Sequence, residues 1–410
     1  MKYEPVIGLE IHVQLKTKSK MFCSCDNGGE NQSPNTTVCP ICMGHPGILP
    51  VANKKAIEWS VLAGLALNCK IPDNSKFDRK NYFYPDLPKA YQISQFDEPV
   101  AIEGFLDIET PTKKGRERTR IKITRAHLEE DAAKNIHGDN KDYSYIDYNR
   151  CGTPLLEIVT EPDFRSPQEA KIFLQELRLI MRYLEISNAD MEKGHLRCDA
   201  NISLREKGKT KLNPKIEIKN LNSFKSVERA LEYEIKRQSK LDKLPQESST
   251  RGWNEKKGVT EQQRTKEEAH DYRYFPEPDL PPLDLNEMRK KMKNELPELP
   301  QTKRVRFLDE YKLTYSDAQT IIDNEALANY FEQVVSELQE WLPSLEEVDG
   351  TKEEIWEKNK KKLIKLVSGW LLSKLGGLMA ENKISIRTLK ITPENFAEFV
   401  ALIYTNKLSG

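Results

Sequence analysis

The sequence lacks a surplus of either charge. Lysine plus arginine equals aspartate plus glutamate, 64 against 64 in 410 residues, so no global positive field advertises nucleic acid. Any RNA contact must be local or shared with partner subunits. No run approaches the roughly 18 apolar residues that span a bilayer. The start, MKYEPVIGLE, lacks the basic and apolar regions of a signal peptide. A soluble, cytoplasmic protein without membrane contact is expected. Glycine is scarce, 19 residues against an average of roughly 7%, so glycine loops that cradle phosphate are few. The lone GKT, residues 208–210, has Ser203 where a P-loop needs its first glycine, which excludes that motif. Cysteines are odd in number, seven, with four inside residues 23–42, a pattern that suggests metal rather than disulfides in a reducing compartment. The length suffices for two or three domains.

Acid, by contrast, is concentrated. Residues 124–163 bring Glu129, Glu130, Asp131, Asp147, Glu157, Glu161 and Asp163 around Arg125, His127, Lys134 and Arg150, with only short apolar runs between them. Carboxylates this close either share a proton or bind a metal, because an unpaired buried carboxylate is costly. A hard ion such as Mg²⁺, handled with a phosphorylated substrate, is the economical reading. Solvated turns with surface ion pairs are the alternative.

Three strand patterns support a polar site. In residues 6–15, Ile7, Leu9, Ile11, Val13 and Leu15 alternate with a row that includes Glu10, His12 and Gln14. In residues 197–205, Cys198, Ala200, Ile202 and Leu204 oppose Arg197, Asp199, Asn201, Ser203 and Arg205. In residues 215–219, Ile216 and Ile218 oppose Lys215, Glu217 and Lys219. A sheet covered by helices on its apolar side would then expose a concave, charged floor.

Cys23, Cys25, Cys39 and Cys42 form two close pairs around a polar loop and can place four thiolates tetrahedrally for a structural Zn²⁺, with His45 as an alternative ligand. Residues 54–67 read as an amphipathic helix. Residues 76–96 mix Phe77, Tyr82, Phe83, Tyr84 and Tyr91 with Arg79, Lys80 and Lys89 and read as a constrained loop able to hold phosphate and a base. Ser166-Pro167-Gln168-Glu169 reads as a capping box opening a helix. Residues 237–269 are charged and turn-rich, with Arg251, Arg264 and Lys266 ahead of DYRYFPEPD at 271–279. Past the prolines that end near Gln301 the pattern is helical: a capping box at 316–319, stripes at 326–342, 354–379 and 393–405, and Trp341, Trp356 and Trp370 as core.

At VIGLEIHVQL (6–15), SKFDRKNYFYPDLPKAYQISQ (75–95), TRAHLEEDAAKN (124–135), IDYNRCGTPLLEIVTEPD (146–163), LRCDANISLR (196–205), EIKNLNSF (217–224) and DYRYFPEPDL (271–280), the chain resembles the B subunit of aspartyl/glutamyl-tRNA amidotransferases over its whole length. The resemblance implies an α+β fold: a cradle-shaped mixed and antiparallel sheet catalytic domain at 1–292, related to glutamine synthetase, then an all-α helical domain at 293–410. It implies ATP-dependent phosphorylation of the side-chain carboxylate of Glu-tRNA(Gln) or Asp-tRNA(Asn), followed by displacement of phosphate by ammonia. Partners implied are an amidase that releases the ammonia, a third and smaller protein of the same heterotrimer, the misacylated tRNA and a cognate aminoacyl-tRNA synthetase.

Carried over by position, Glu10, His12, Glu130 and Glu157 would hold Mg²⁺. Alternation alone does not choose between Glu129 and Glu130; the resemblance selects Glu130. Lys80 would meet ATP phosphates or gate ammonia, and Tyr82 and Lys89 would line the ammonia route. Strand-face reasoning adds Arg150, Asp199, Glu217 and Lys219 as nucleotide and acyl-end contacts. The cysteine quartet matches the zinc-bearing branch of the family. The family continues into a tail domain where this chain ends, at residues 406–410, so a truncation with weaker tRNA affinity is expected. A noncatalytic RNA scaffold and a glutamine synthetase acting on free glutamate are the rival readings.

Overall fold

A computed structural model describes residues 3–137, 143–265, 271–341 and 351–408. The chain forms two compact units, Met1–Pro297 and Glu298–Gly410. Lys266, residues 267–269 and Leu342 lie outside the described residues.

The first unit begins with β1 (Tyr3–Gln14), α1 (Lys54–Ala66), β2 (Asn74–Ser75), β3 (Asp78–Asn81), β4 (Tyr91–Ser94), β5 (Ala101–Thr112), β6 (Gly115–Glu130), β7 (Lys134–His137) and β8 (Ser144–Asp147). It continues with β9 (Pro154–Thr160), α2 (Pro167–Tyr183), β10 (Leu196–Glu206), β11 (Ile216–Leu221), α3 (Phe224–Ser239), β12 (Ser249–Asn254), β13 (Val259–Thr265), β14 (Phe275–Pro276), β15 (Leu283–Asp284) and α4 (Asn286–Glu295). Eight strands form one sheet in the order β13-β12-β11-β10-β1-β9-β6-β5. Every pair is antiparallel except β11 with β12. The α+β architecture with a mixed sheet follows directly.

The alternation in β1 has the consequence its residues dictate. Ile7, Leu9, Ile11 and Val13 are essentially inaccessible, and Cys198, Ala200, Ile202 and Leu204 of β10 share their fate. Burying each of the valine, leucine and isoleucine side chains among them contributes roughly 1.5–3 kcal/mol. Helices α1, α2 and α3 pack against the sheet. The intervening side chains of β1, Glu10, His12 and Gln14, remain partly accessible on the other row.

Residues 76–96 are not a loop throughout. β3 pairs with β4 and with β14 in a small sheet, and only residues 82–90 loop out between the strands. Of the aromatic residues that read as loop anchors, Tyr91 is a strand residue, at the start of β4. Residues 237–269 likewise hold the end of α3 and two strands, β12 and β13, at the sheet edge. The cap of α2 differs in its second half: Ser166 Oγ accepts from Glu169 N at 3.2 Å, but the Glu169 carboxylate accepts from Arg165 N at 2.6 Å.

The second unit contains α5 (Pro300–Glu310), α6 (Tyr315–Ile322), α7 (Glu325–Trp341), α8 (Lys352–Gly369), α9 (Gly376–Glu381) and α10 (Pro393–Tyr404), with a π-type turn at Trp370–Leu375. The division at Pro297 falls five residues past 292 because α4 packs on α1, with Met292 fully buried and Lys291 paired to Glu58 at 2.9 Å. Thr314, rather than Ser316, caps α6 by accepting from Asp317 N at 3.2 Å. Trp341, Trp356 and Trp370 are half-buried, and the core is made instead by smaller groups such as Phe307, Phe331, Val334, Leu363, Val367 and Phe396. Trp370 meets Phe399 edge-on at 5.0 Å. The helical run Glu353–Glu381 is long and apolar enough to cross a bilayer, with mean hydropathy 1.3 over its best window. A third of that window is buried; Leu363, Ile364 and Val367 of α8 are buried, and α8 packs against α7 and α10.

Candidate functional site

Strand register assembles the site. His127 on β6 lies opposite Glu157 on β9, Glu157 lies opposite His12 on β1, and His12 lies opposite Arg197 on β10. Glu10 lies opposite Asp199 one step along. Four strands thus contribute one row of ionisable side chains, in which Glu157 stands between His12 and His127.

Glu157 is the centre. Its Oε2 is 3.3 Å from His12 Nε2 and 3.3 Å from His127 Nε2. Glu129 stands 3.7 Å from both imidazoles and accepts a hydrogen bond from Ser94 Oγ at 3.0 Å. Burial alone would lower the His127 pKa, yet Glu157 and Glu129 outweigh it and raise it to about 9. His12 moves the same way against the same desolvation. Burial would raise Glu157, but the His127 and His12 charges hold it well below the ordinary carboxylate range. Glu10 goes the other way: burial, then the nearby Glu157 charge, push its pKa up by more than His12 offsets.

Two ligand sets share Glu157. Glu10, His12 and Glu157 form one, and His127, Glu129 and Glu157 the other, with the ligand atoms of each set within 4.8 Å of one another. These residues fit a divalent cation. The Glu10 carboxyl is pushed toward protonation, a strain that a bound cation would relieve. Mg²⁺ keeps several waters, so three or four protein ligands suffice.

Glu130 does not join this cluster. Successive side chains of a strand point to opposite sides, so the end of β6 sends Glu129 to the row and Glu130 away from it. Glu130 accepts from Lys89 Nζ at 2.6 Å and from Ile93 N at 3.0 Å. The expectation puts Glu130 in the metal set; the structure places it outside both groups of candidate ligands, where Glu129 and His127 stand beside Glu157 instead.

The other nominated residues divide into near and far. Lys80, on β3, is partly buried; desolvation would lower its pKa, but Glu129 and Glu157 raise it. Its Nζ lies 5.1 Å from the Tyr272 ring, which meets both Tyr82 and Tyr274 edge-on. Burial pushes the Tyr82 phenol up. Asp199 pairs with Lys219 at 2.5 Å, Lys219 lies 3.4 Å from Glu217, and Glu217 accepts from Thr250 at 2.8 Å. Arg150 is engaged elsewhere, donating to the carbonyls of Ala132 and Ala133 at 2.9 and 2.7 Å. It reaches the row only through Asp131, 3.6 Å away, which also pairs with Arg197. Beside Glu10 opens a cleft of about 810 Å³ whose lining includes Gly8, Asn201, Ser203, Lys211 and Lys215, a size that accepts a nucleotide or an acyl end.

Sequence reasoning left His127, Glu129, Arg197, Tyr272 and Tyr274 without site roles. The i, i+2 spacing of His127 and Glu129 was the available signal, since it puts both on one strand face.

The cysteine quartet closes as spaced. The sulfurs of Cys23, Cys25, Cys39 and Cys42 lie within 4.8 Å of one another, and Cys39 and Cys42 are 3.9 Å apart. A tetrahedral ion with Zn–S bonds of about 2.3 Å needs edges near this length. The Cys42 thiol is lowered to about 5, first by the Cys23 thiol that donates to it, then by the Cys39 amide and Lys20, against the effect of burial. Burial pushes Cys25 up to about 11. Four soft donors with a thiolate already favoured fit Zn²⁺.

The family model of the GatB/GatE catalytic domain matches residues 5–291. Proteins named as the B subunit of an aspartyl/glutamyl-tRNA(Asn/Gln) amidotransferase align along the whole chain: 48% identical in Persephonella marina, 49% in Thermoanaerobacter pseudethanolicus and 48% in Thermotoga maritima, covering 81% of each relative. With the match spanning the sheet and both ligand clusters, and near-half identity running on through the helices, the chain belongs to the family of B subunits of the aspartyl/glutamyl-tRNA(Asn/Gln) amidotransferases.

Proposed function

We propose that the chain catalyses the ATP-dependent amidation of Glu-tRNA(Gln), Asp-tRNA(Asn) or both, in a cytoplasmic heterotrimer with an amidase and a third, smaller protein, and with a cognate aminoacyl-tRNA synthetase as a further partner. A carboxylate oxygen of the aminoacyl side chain attacks the γ-phosphorus of ATP, the bond to ADP breaks, and an acyl phosphate results. Ammonia then attacks the acyl carbon, inorganic phosphate leaves, and the amine loses a proton. Carboxylate oxygen is a poor leaving group, and phosphorylation removes that obstacle.

The observation that carries this reading is the self-neutralised row of Glu10, His12, His127, Glu129 and Glu157 beside a nucleotide-sized cleft. An RNA scaffold has no use for two imidazoles aimed at one buried carboxylate. When bound, Mg²⁺ supplies charge neutralisation for the transferring phosphoryl group. Glu157 would hold it together with Glu10 and His12, or with His127 and Glu129. Lys80 and Lys219 orient phosphate and acyl oxygens by charge. Lys89 and Tyr82 belong to the ammonia route, and the Lys89–Glu130 pair places a carboxylate there that can take the proton released by the amine. The relation of this sheet to that of glutamine synthetase belongs to the same proposal.

The test uses the purified chain with ATP, Mg²⁺ and ammonium chloride on tRNA charged with radiolabelled glutamate or aspartate, following amide and ADP together. Amide formed only with ATP is the expected result, and ammonium replaces the amidase. Neither amide nor ADP, with the partner proteins added and tRNA bound, overturns the proposal in favour of a scaffold.

A further inference from the structure

The cysteine knuckle and the Lys89–Glu130 pair line the same narrow cavity, about 20 Å³, to which Cys23, Cys42, Lys89, Tyr91, Glu130 and Gly152 contribute. That is room for one or two water-sized molecules. The contact between knuckle and lysine is direct. Gly44, two residues past Cys42, has φ +70, and a Cβ built there would stand 2.4 Å from Lys89 Cγ and 3.0 Å from Lys89 Cα. The knuckle backbone rests on the stem of the lysine.

A second set of bonds runs the long way round. Lys20, fully buried, donates to the Thr37 carbonyl at 2.8 Å and lies 3.9 Å from Cys42 Sγ. Cys151 Sγ donates to the Cys42 carbonyl at 3.3 Å, and Asn149 accepts from Thr37 N while donating to the Ser33 carbonyl at 2.8 Å. Tyr148 OH then donates to the Pro85 carbonyl at 3.0 Å, and Ala133 N to the Asp86 carbonyl at 2.9 Å. These bonds pin the 82–90 loop that carries Lys89. The loop needs pinning, because Ala90 sits at φ 62, a conformation that a residue with a Cβ adopts only when its surroundings enforce it.

We propose that the four-cysteine knuckle, filled by Zn²⁺, is the positioning element for Lys89, holding its ammonium on Glu130, and that emptying the knuckle frees the lysine. Gly44 is the residue through which this acts. The inference rests on the reading of Lys89 as part of the ammonia route, and the experiment separates the two.

The full chain is stripped with a chelator, reloaded with Zn²⁺, and treated in each state with acetic anhydride. Acetylation of Lys89 is measured by mass spectrometry against the exposed Lys70. Lys89 acetylation rises about tenfold on stripping and falls again on reloading, as local opening of a pinned loop requires. Gly44→Ala reproduces the rise with zinc content intact. Gly47→Ala does not: Gly47 has φ +80 but nothing within 4 Å, so it carries the same backbone strain without the contact. Equal acetylation in loaded and stripped protein that keeps its circular dichroism overturns the proposal, as does Gly44→Ala behaving like Gly47→Ala. Freed Lys89 with an unchanged kcat for ammonium upholds the positioning role and removes Lys89 from the ammonia route.

Discussion

The histidine–carboxylate row and the cysteine knuckle are both clusters of metal-ligand side chains, but they differ in how they balance charge. The row interleaves three carboxylates with two imidazoles and borders Lys80 and Arg197, so its protein groups neutralise one another. The knuckle sets four sulfurs against one buried lysine. A self-neutralised cluster keeps its geometry whether or not a cation is bound, which suits an ion that arrives and leaves with a nucleotide. A cluster of thiols lacks that balance, so an ion held there would be part of the fold.

The sharpest way to break the comparison is to remove the centre of the row. Glu157→Gln lowers amidation by about a thousandfold, since the groups that hold charge in the transition state lose their common anchor. Circular dichroism stays as in the parent, because His12 and His127 can become neutral. The knuckle responds in the opposite sense: Cys42→Ser lowers the thermal midpoint by about 5 °C and abolishes zinc retention, read by calorimetry and metal analysis. Next in size is a pair that separates neighbours on one strand. Glu129→Gln raises the Mg²⁺ concentration for half-maximal ADP formation about tenfold, whereas Glu130→Gln leaves it unchanged. The smallest effect is in pH. His127 has a folded pKa of about 9, above its ordinary value of 6.5, so its stabilisation is complete below pH 6.5 and is lost as pH rises through about 9. Denaturant midpoints without Mg²⁺ fall over that window, and His127→Gln flattens the fall.

Much of this could be read before folding, where the signal was local. The alternation in residues 6–15 placed Glu10 and His12 on one face, and the spacing of four cysteines foretold their closure. Glu129 against Glu130 could not be decided that way, because the choice depends on the register in which β6 pairs with β9, which residue spacing within β6 does not contain. β5 and β6 went unread because their outer halves form an arm of charged, exposed side chains such as Arg118 and Arg120, both paired with Asp107, which hides the apolar alternation of Ile121 and Ile123. Arg150 looked like a site cation and is a tie to the carbonyls of Ala132 and Ala133, something no strand pattern reveals.

The position of β9 between β1 and β6 governs how the molecule comes into being. β1 leaves the ribosome early, but its two neighbours, β9 and β10, follow only after β2 to β8 have been made. Until they emerge, β1 exposes both edges and an aliphatic face. The pairing that joins His12 to Glu157 is therefore among the long-range contacts that slow folding, and the waiting strand is open to aggregation. Nascent chains cut before residue 154 have no reactive row, so catalytic competence is gained only once synthesis has passed β9.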